Sequence, residues 1–147
     1  DYSQPSSKKR LYVLDLNTGT LLFHTYVAHG KNSGGIYTSS FSNMNSSHKS
    51  SLGFMITDDT YFGSNGYSLR FNGLERGIND QVRNRAIVMH GSYYVNAERA
   101  MRGTMMGRSY GCPAVPAGEV YEIIETIKGG TCYFAYYPNQ WYLNSSA

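Results

Sequence analysis

Apolar and polar residues alternate in short runs along most of this chain, and only one stretch repeats at helical spacing. Residues 10–16 and 21–27 are rich in apolar and aromatic side chains, and Asn17-Thr18-Gly19-Thr20 between them supplies a turn, so a β-hairpin is expected there. Residues 54–57 and 67–71 read as two further strands around Gly63-Ser64-Asn65-Gly66. Residues 85–89 form a short apolar run, expected as a central strand that ends at His90. Residues 131–137 give the last strand, stopped by Pro138. The helical spacing belongs to Val120, Ile123, Ile124 and Ile127, an i, i+3, i+4, i+7 stripe. It opens near Pro116 with Glu119 in the first turn and closes at Gly129-Gly130. Residues 95–101 have room for about two helical turns before Gly103.

Two stretches break the pattern. Residues 30–51 are dominated by Gly, Ser and Asn, too long and polar for a simple connection, and a loop of that kind often lines a site. Residues 73–83 read as irregular or briefly helical. No internal repeat, heptad or linker divides the chain, so one domain over residues 1–147 is expected, with 1–9 as a linker or a strand remnant.

Composition strengthens the β-rich reading. Fourteen tyrosines, sixteen glycines and a charged fraction of 16% favour short strands and tight turns over a helical bundle, giving a mainly β, α+β class. The net charge is +3 and the basic residues are scattered, which argues against nucleic acid and leaves attraction to an anionic polymer open. No apolar run is long enough to span a bilayer and no signal segment opens the chain, so it reads as a mature or trimmed form.

The candidate chemistry lies in two short motifs. Cys112 sits between Gly111 and Pro113, where little side-chain bulk shields it and the backbone is irregular, a setting that presents a thiol. The helix start soon after it is expected to place Cys112 near unpaired amides that favour a thiolate. Cys132 lies within the last strand and is expected to be buried, so a disulfide between the two is disfavoured. His90, followed by Gly91 at a strand end, is the best base for a cysteine nucleophile and stands twenty-two residues upstream of it. On spacing alone, a strand-capping histidine and a buried thiol are the favoured reading. His24, His29 and His48 show no metal-ligand spacing, and Asp58-Asp59 and Glu75 lack a partner arrangement for carboxylate-pair catalysis. Most of the tyrosines fit half-buried strand packing, and Met105-Met106 is expected to pack under the cysteine loop.

Ser109-Tyr110-Gly111-Cys112, following a strand that ends in His90-Gly91, resembles the active site of the YkuD-like murein L,D-transpeptidases. Ser50-Ser51-Leu52-Gly53, Ser68-Leu69-Arg70, Gly73-Leu74-Glu75, Asn79-Asp80 and Arg85-Ala86-Ile87-Val88 look like one branch of that family, the murein L,D-transpeptidase catalytic domains, over roughly residues 10–143. The resemblance implies a β-sandwich or open barrel with one main helix after the cysteine and short extra helices. It also implies a chemistry. Cys112 would attack the carbonyl before the terminal D-Ala of a tetrapeptide stem of peptidoglycan, and an amine or water would take the acyl group. His90 would pair with the thiolate, a carbonyl such as that of Gly91 would orient the ring, and amides of Cys112, Gly111 and Tyr110 would hold the oxyanion. Carbapenems, which acylate the family, would acylate Cys112. No cofactor and no metal are implied, and the location implied is the cell envelope, periplasmic or otherwise extracytoplasmic. The chain departs from the common motif at two positions, with Tyr110 where histidine is usual and Ala114 where arginine or asparagine is usual. Arg108, Arg85, Arg102 and Ser109 are then candidates for binding the substrate. A non-catalytic domain that grips peptidoglycan through tyrosines is the rival from another class; a papain-like peptidase is disfavoured, since its local cysteine pattern is missing.

Overall fold

The computed structural model of the chain describes residues 1–146. Its centre is a five-stranded open sheet in the order β8-β6-β5-β4-β9. The strands are β4 (Gly53–Gly63), β5 (Gly66–Gly73), β6 (Val88–Ser92), β8 (Ala114–Pro116) and β9 (Cys132–Ala135). β4 and β5 make the long hairpin expected around Gly63-Ser64-Asn65-Gly66, with a bulge at Asp58-Asp59, where the register moves from Thr57↔Phe71 to Thr60↔Leu69. Those two carboxylates pair with Arg70 and Arg83 on the surface, which accounts for them structurally.

The first hairpin, β1 (Leu11–Asp15) with β2 (Thr20–Thr25), forms a separate two-stranded sheet as the alternation suggested. Leu11, Val13 and Phe23 turn inward onto the main core, and a register shift after Val13 leaves Leu22 without an opposite residue. The third pairing is a two-residue parallel contact between β3 (His29–Gly30) and β7 (Arg108–Ser109).

Helix α2 (Val120–Ile127) is the principal helix, and α1 (Ala97–Met101) and α3 (Gln140–Ser145) are short. Ile123, Ile124 and Ile127 are buried against a cluster that includes Leu69, Phe71 and Met89 of the sheet. Each such side chain contributes about 1.5–3 kcal/mol on burial, so this stripe anchors the helix on the sheet. The fold class is therefore the expected one, a β-rich mixed fold with one main helix after Cys112, the sheet being open.

Four local expectations need correction. The strand carrying His90 begins at Val88 and runs through Gly91 to Ser92, because Ala86 has a positive φ of 54° that breaks the extended backbone upstream; the central strand is β5, with β6 beside it. Helix α2 starts only at Val120, and β8 intervenes between it and Cys112. Cys132 is exposed, since β9 is an edge strand on which Ala135 is buried and Tyr133 half-buried while Cys132 and Phe134 face outward; both cysteines are free. Residues 1–9 form turns that are tied to the body, with Tyr2 buried in the main core and its amide bonded to the Tyr136 carbonyl at 2.8 Å.

Candidate active site

The parallel pairing of β6 with β8 brings the two motifs together. His90 stands opposite Ala114, so the cysteine two residues before Ala114 falls beside Val88, two residues before His90. The Val88 amide accordingly points at Cys112 Sγ at 3.4 Å, and the thiol lies 3.5 Å from the Ala86 carbonyl. A carbonyl only accepts, so the resting sulfur carries its proton toward Ala86. Burial pushes the thiol up from its ordinary range, while the Val88 amide and the charge of Arg85 pull it down. The amide that reaches the sulfur thus belongs to β6, and the helix N-terminus is not its activator as the spacing suggested.

His90 is buried, and its Nδ1 lies 3.1 Å from the Gly91 carbonyl. Because that oxygen accepts, Nδ1 carries a hydrogen; in the neutral ring the lone pair is then on Nε2, which has no protein partner among the described residues. Gly91 contributes more than its carbonyl. A Cβ there would come within 2.8 Å of Val120 and 3.1 Å of the Ala117 Cα, so the lack of a side chain lets α2 approach the strand.

The loop before β8 is held by one hydroxyl. Ser109 Oγ donates to the Cys112 carbonyl at 2.6 Å and accepts from the Gly111 amide at 3.1 Å, and Ser109 is itself buried. Gly111 has a φ of 113°, and an added Cβ would meet the Lys49 carbonyl at 2.7 Å and Ile87 at 2.9 Å. Both its conformation and its space require glycine. Of the three amides expected to hold an oxyanion, that of Gly111 is occupied by Ser109; those of Tyr110 and Cys112 have no protein acceptor among the described residues. Ser109 serves the loop itself.

Cys112 and His90 open on a shared cleft of about 740 Å³, together with Lys31, Arg85, Tyr94, Met105, Arg108 and Tyr110. Tyr110 is 69% exposed, stacks on His48 at 4.4 Å between ring centroids, and has the Lys31 ammonium 5.7 Å from its ring. Arg108 donates Nη1 to the Lys31 carbonyl at 2.8 Å, and Arg85 lies under the long 31–52 loop. Arg102 is elsewhere, in an exposed pair with Glu98 on α1, and does not line the cleft. Met106 is fully buried beneath the loop with Ala28, Val95 and Ala114, while Met105 faces the cleft.

The 1–136 segment of the chain matches the model of the L,D-transpeptidase catalytic domain, a YkuD-like family. The chain belongs to that family. No curated protein and no solved structure matches it. Membership in the L,D-transpeptidase family makes the domain peptidoglycan-related and of the cysteine type. Lys31, Asn65, Tyr94 and Met105 are the cleft residues that the motifs did not single out, each carried by a loop, a hairpin tip or an irregular segment. No group of three His, Cys, Asp or Glu side chains gathers among the described residues, and no helix there is long and apolar enough to cross a membrane.

Proposed function

We propose that this L,D-transpeptidase domain transfers the acyl group of a peptidoglycan tetrapeptide stem through a thioester on Cys112. The observation that carries the reading is one cleft lined by both Cys112 and His90, whose Nε2 is unpartnered among the described residues and whose Nδ1 is fixed by Gly91. The Sγ proton passes to Nε2, and the thiolate attacks the carbonyl before the terminal D-Ala. Charge on the carbonyl oxygen is met by the free amides of Cys112 and Tyr110. The Nε2 proton then goes to the departing amine, D-Ala leaves, and the thioester remains. A side-chain amine of a second stem, giving up its proton to His90, forms the 3→3 cross-link and frees the thiol. Water in its place gives L,D-carboxypeptidase hydrolysis.

Purified sacculi incubated with the protein and read by mass spectrometry should lose D-Ala from tetrapeptide stems. Cys112→Ala should abolish that loss, His90→Ala should reduce it by at least about a hundredfold, and Cys132→Ala should keep most of it. A carbapenem should add its intact mass to the peptide carrying Gly111-Cys112-Pro113, and to nothing in Cys112→Ala. One observation favours the non-catalytic, peptidoglycan-gripping alternative, namely the half-burial of Cys112, which disfavours the thiolate. Sedimentation with peptidoglycan, without D-Ala release or an adduct, would decide for it.

A further inference from the structure

A cation beside the cysteine loop has both terminal nitrogens engaged with neutral groups. Arg85 points Nη1 at the Ser42 carbonyl (2.7 Å) and Ser51 Oγ (2.9 Å), and Nη2 at the Lys49 carbonyl (2.8 Å) and Ser47 Oγ (3.1 Å). Each terminal nitrogen has two hydrogens, so both are used and only the Nε hydrogen is left. A bidentate grip on a substrate carboxylate is therefore closed to it. Arg70, Arg83 and Arg102 all have carboxylate partners, yet half-buried Arg85 has none among the described residues. Its Nη2 stands 3.4 Å from the point where a Cβ on Gly111 would lie, one residue from Cys112.

A half-buried guanidinium is costly to leave without a counter-ion. The other titratable groups around the thiol are His90 from β6, Lys31 from the long loop, Arg108 and Tyr110 from the cysteine loop, Tyr94 after β6, and Tyr2 from the N-terminal turns. Among the described residues no Asp or Glu lines the cleft, so the one anion they can set before Arg85 there is the thiolate itself. We propose that Arg85 is a positioning residue that supplies the fixed counter-charge for the Cys112 thiolate and leaves the substrate's carboxylates to other groups. Burial depresses the guanidinium and raises the thiol, and the attraction of each for the other opposes both effects. When the Sγ proton leaves Ala86 for His90, sulfur loses its carbonyl contact, keeps the Val88 amide and faces Arg85. The four neutral bonds keep the charge in place throughout, so little reorganisation accompanies ionisation.

This inference rests on Cys112 as the acyl-transfer nucleophile, and its test is separable from that reading. In the full chain with Cys132→Ser, the rate of Cys112 alkylation by iodoacetamide is followed against pH for wild type, Arg85→Gln, Arg85→Lys and Ser51→Ala. Arg85→Gln should move the midpoint up by about one pH unit, and Arg85→Lys, which keeps a charge but loses the fork, by about half as much. Ser51→Ala, which loosens the same contacts and keeps the charge, should leave the midpoint in place. With stem peptide as substrate, Arg85→Gln should lower kcat about tenfold and leave KM within about twofold. An unmoved midpoint in either Arg85 variant overturns the proposal, as does a shift in Ser51→Ala equal to that in Arg85→Gln, or a raised KM with kcat kept. If Arg85→Gln does not fold, the lysine variant decides alone. A wild type that never releases D-Ala would sink the acyl-transfer reading, while the alkylation midpoints would still report on Arg85.

Discussion

Ala86 is one of three non-glycine residues held in the left-handed region, and its carbonyl lies against Cys112. Its amide bonds to the Arg83 carbonyl at 3.0 Å, and the next amide, Ile87, bonds back to Val82 at 2.9 Å. That is the pattern of a helix-ending turn whose left-handed position usually holds glycine; here alanine holds it with φ 54°. The left-handed form costs a non-glycine residue about 1–2 kcal/mol, and glycine's extra freedom in the unfolded chain returns about 0.4–1 kcal/mol of that. Ala86→Gly should therefore stabilise the protein, by about 0.5–1 kcal/mol. Urea unfolding should show a higher midpoint at an unchanged slope, and a lower midpoint would mean that the Ala86 methyl packs more usefully than its conformation costs. Nothing in the sequence marks this position, because only glycine and asparagine advertise a left-handed turn. The half-burial of Cys112 was equally hidden, since the groups against its sulfur, the Val88 amide and the Ala86 carbonyl, are far away in sequence.

Elements with a long enough period were legible. The β1–β2 hairpin, the β4–β5 hairpin and α2 each repeat their pattern over several residues, and all three are found where the apolar spacing put them. β3, β7 and β8 are two or three residues long and have no period to read, yet they set the cysteine loop. The β3–β7 pair carries its own ionisable device. His29 on β3 is fully buried; Nδ1 accepts from Arg10 Nη2 at 2.8 Å, and Nε2 faces the Gly34 carbonyl at 3.4 Å. A guanidinium only donates, so this ring is neutral, and a proton on Nδ1 would set two cations together in the interior. Burial, with Arg10 second, lowers its pKa to about 4. An unfolded chain binds that proton at about 6.5, so between about 6.5 and 4 the unfolded state holds more protons and stability falls as pH falls. The loss amounts to about 3 kcal/mol and ends near the folded value, below which both states are charged. Asp58, Glu75, Asp80 and Glu125 have lowered pKa values too, so their losses begin lower, as pH drops through the carboxylate range. In urea unfolding from pH 4.5 to 7, wild type should lose stability on acidification, and His29→Gln should be nearly flat below about pH 6, keeping above it only the slope of the Asp1 amino group, whose pKa burial and Arg10 lower to about 6. Parallel curves would show that His29 is not the titrating group.

For the whole molecule, the charges divide between surface and cleft. Asp58, Asp59, Glu98 and Glu125 are spent on exposed pairs with neighbouring cations, and Lys31, Arg85 and Arg108 line the cleft with no acidic residue beside them. A net charge of +3 suggested an anionic partner; that three cations without ion-pair partners among the described residues share one cleft was not readable from scattered positions in the chain. With Arg85 saturated, Arg108 is the arginine that can bind. Its Nη1 meets the Lys31 carbonyl and, at 3.5 Å, that of Gly34, while Nε and Nη2 have no protein acceptor among the described residues. One edge of an exposed guanidinium is thus free to take a carboxylate in two bonds, which under the proposed function would be that of a stem. A charge-assisted contact of this kind is worth about 1.5 kcal/mol, close to tenfold in binding. Arg108→Ala should raise KM for a tetrapeptide stem about tenfold with kcat changed less than about twofold, the mark of a contact equal in ground and transition states. Arg108→Lys, which lacks the fork, should recover only part of the loss. Added salt should raise the wild-type KM and affect Arg108→Ala less, because the screened attraction is already reduced. A fall in kcat at constant KM would instead place Arg108 with the reacting atoms, and an unchanged KM would leave Lys31 as the cation that takes the carboxylate.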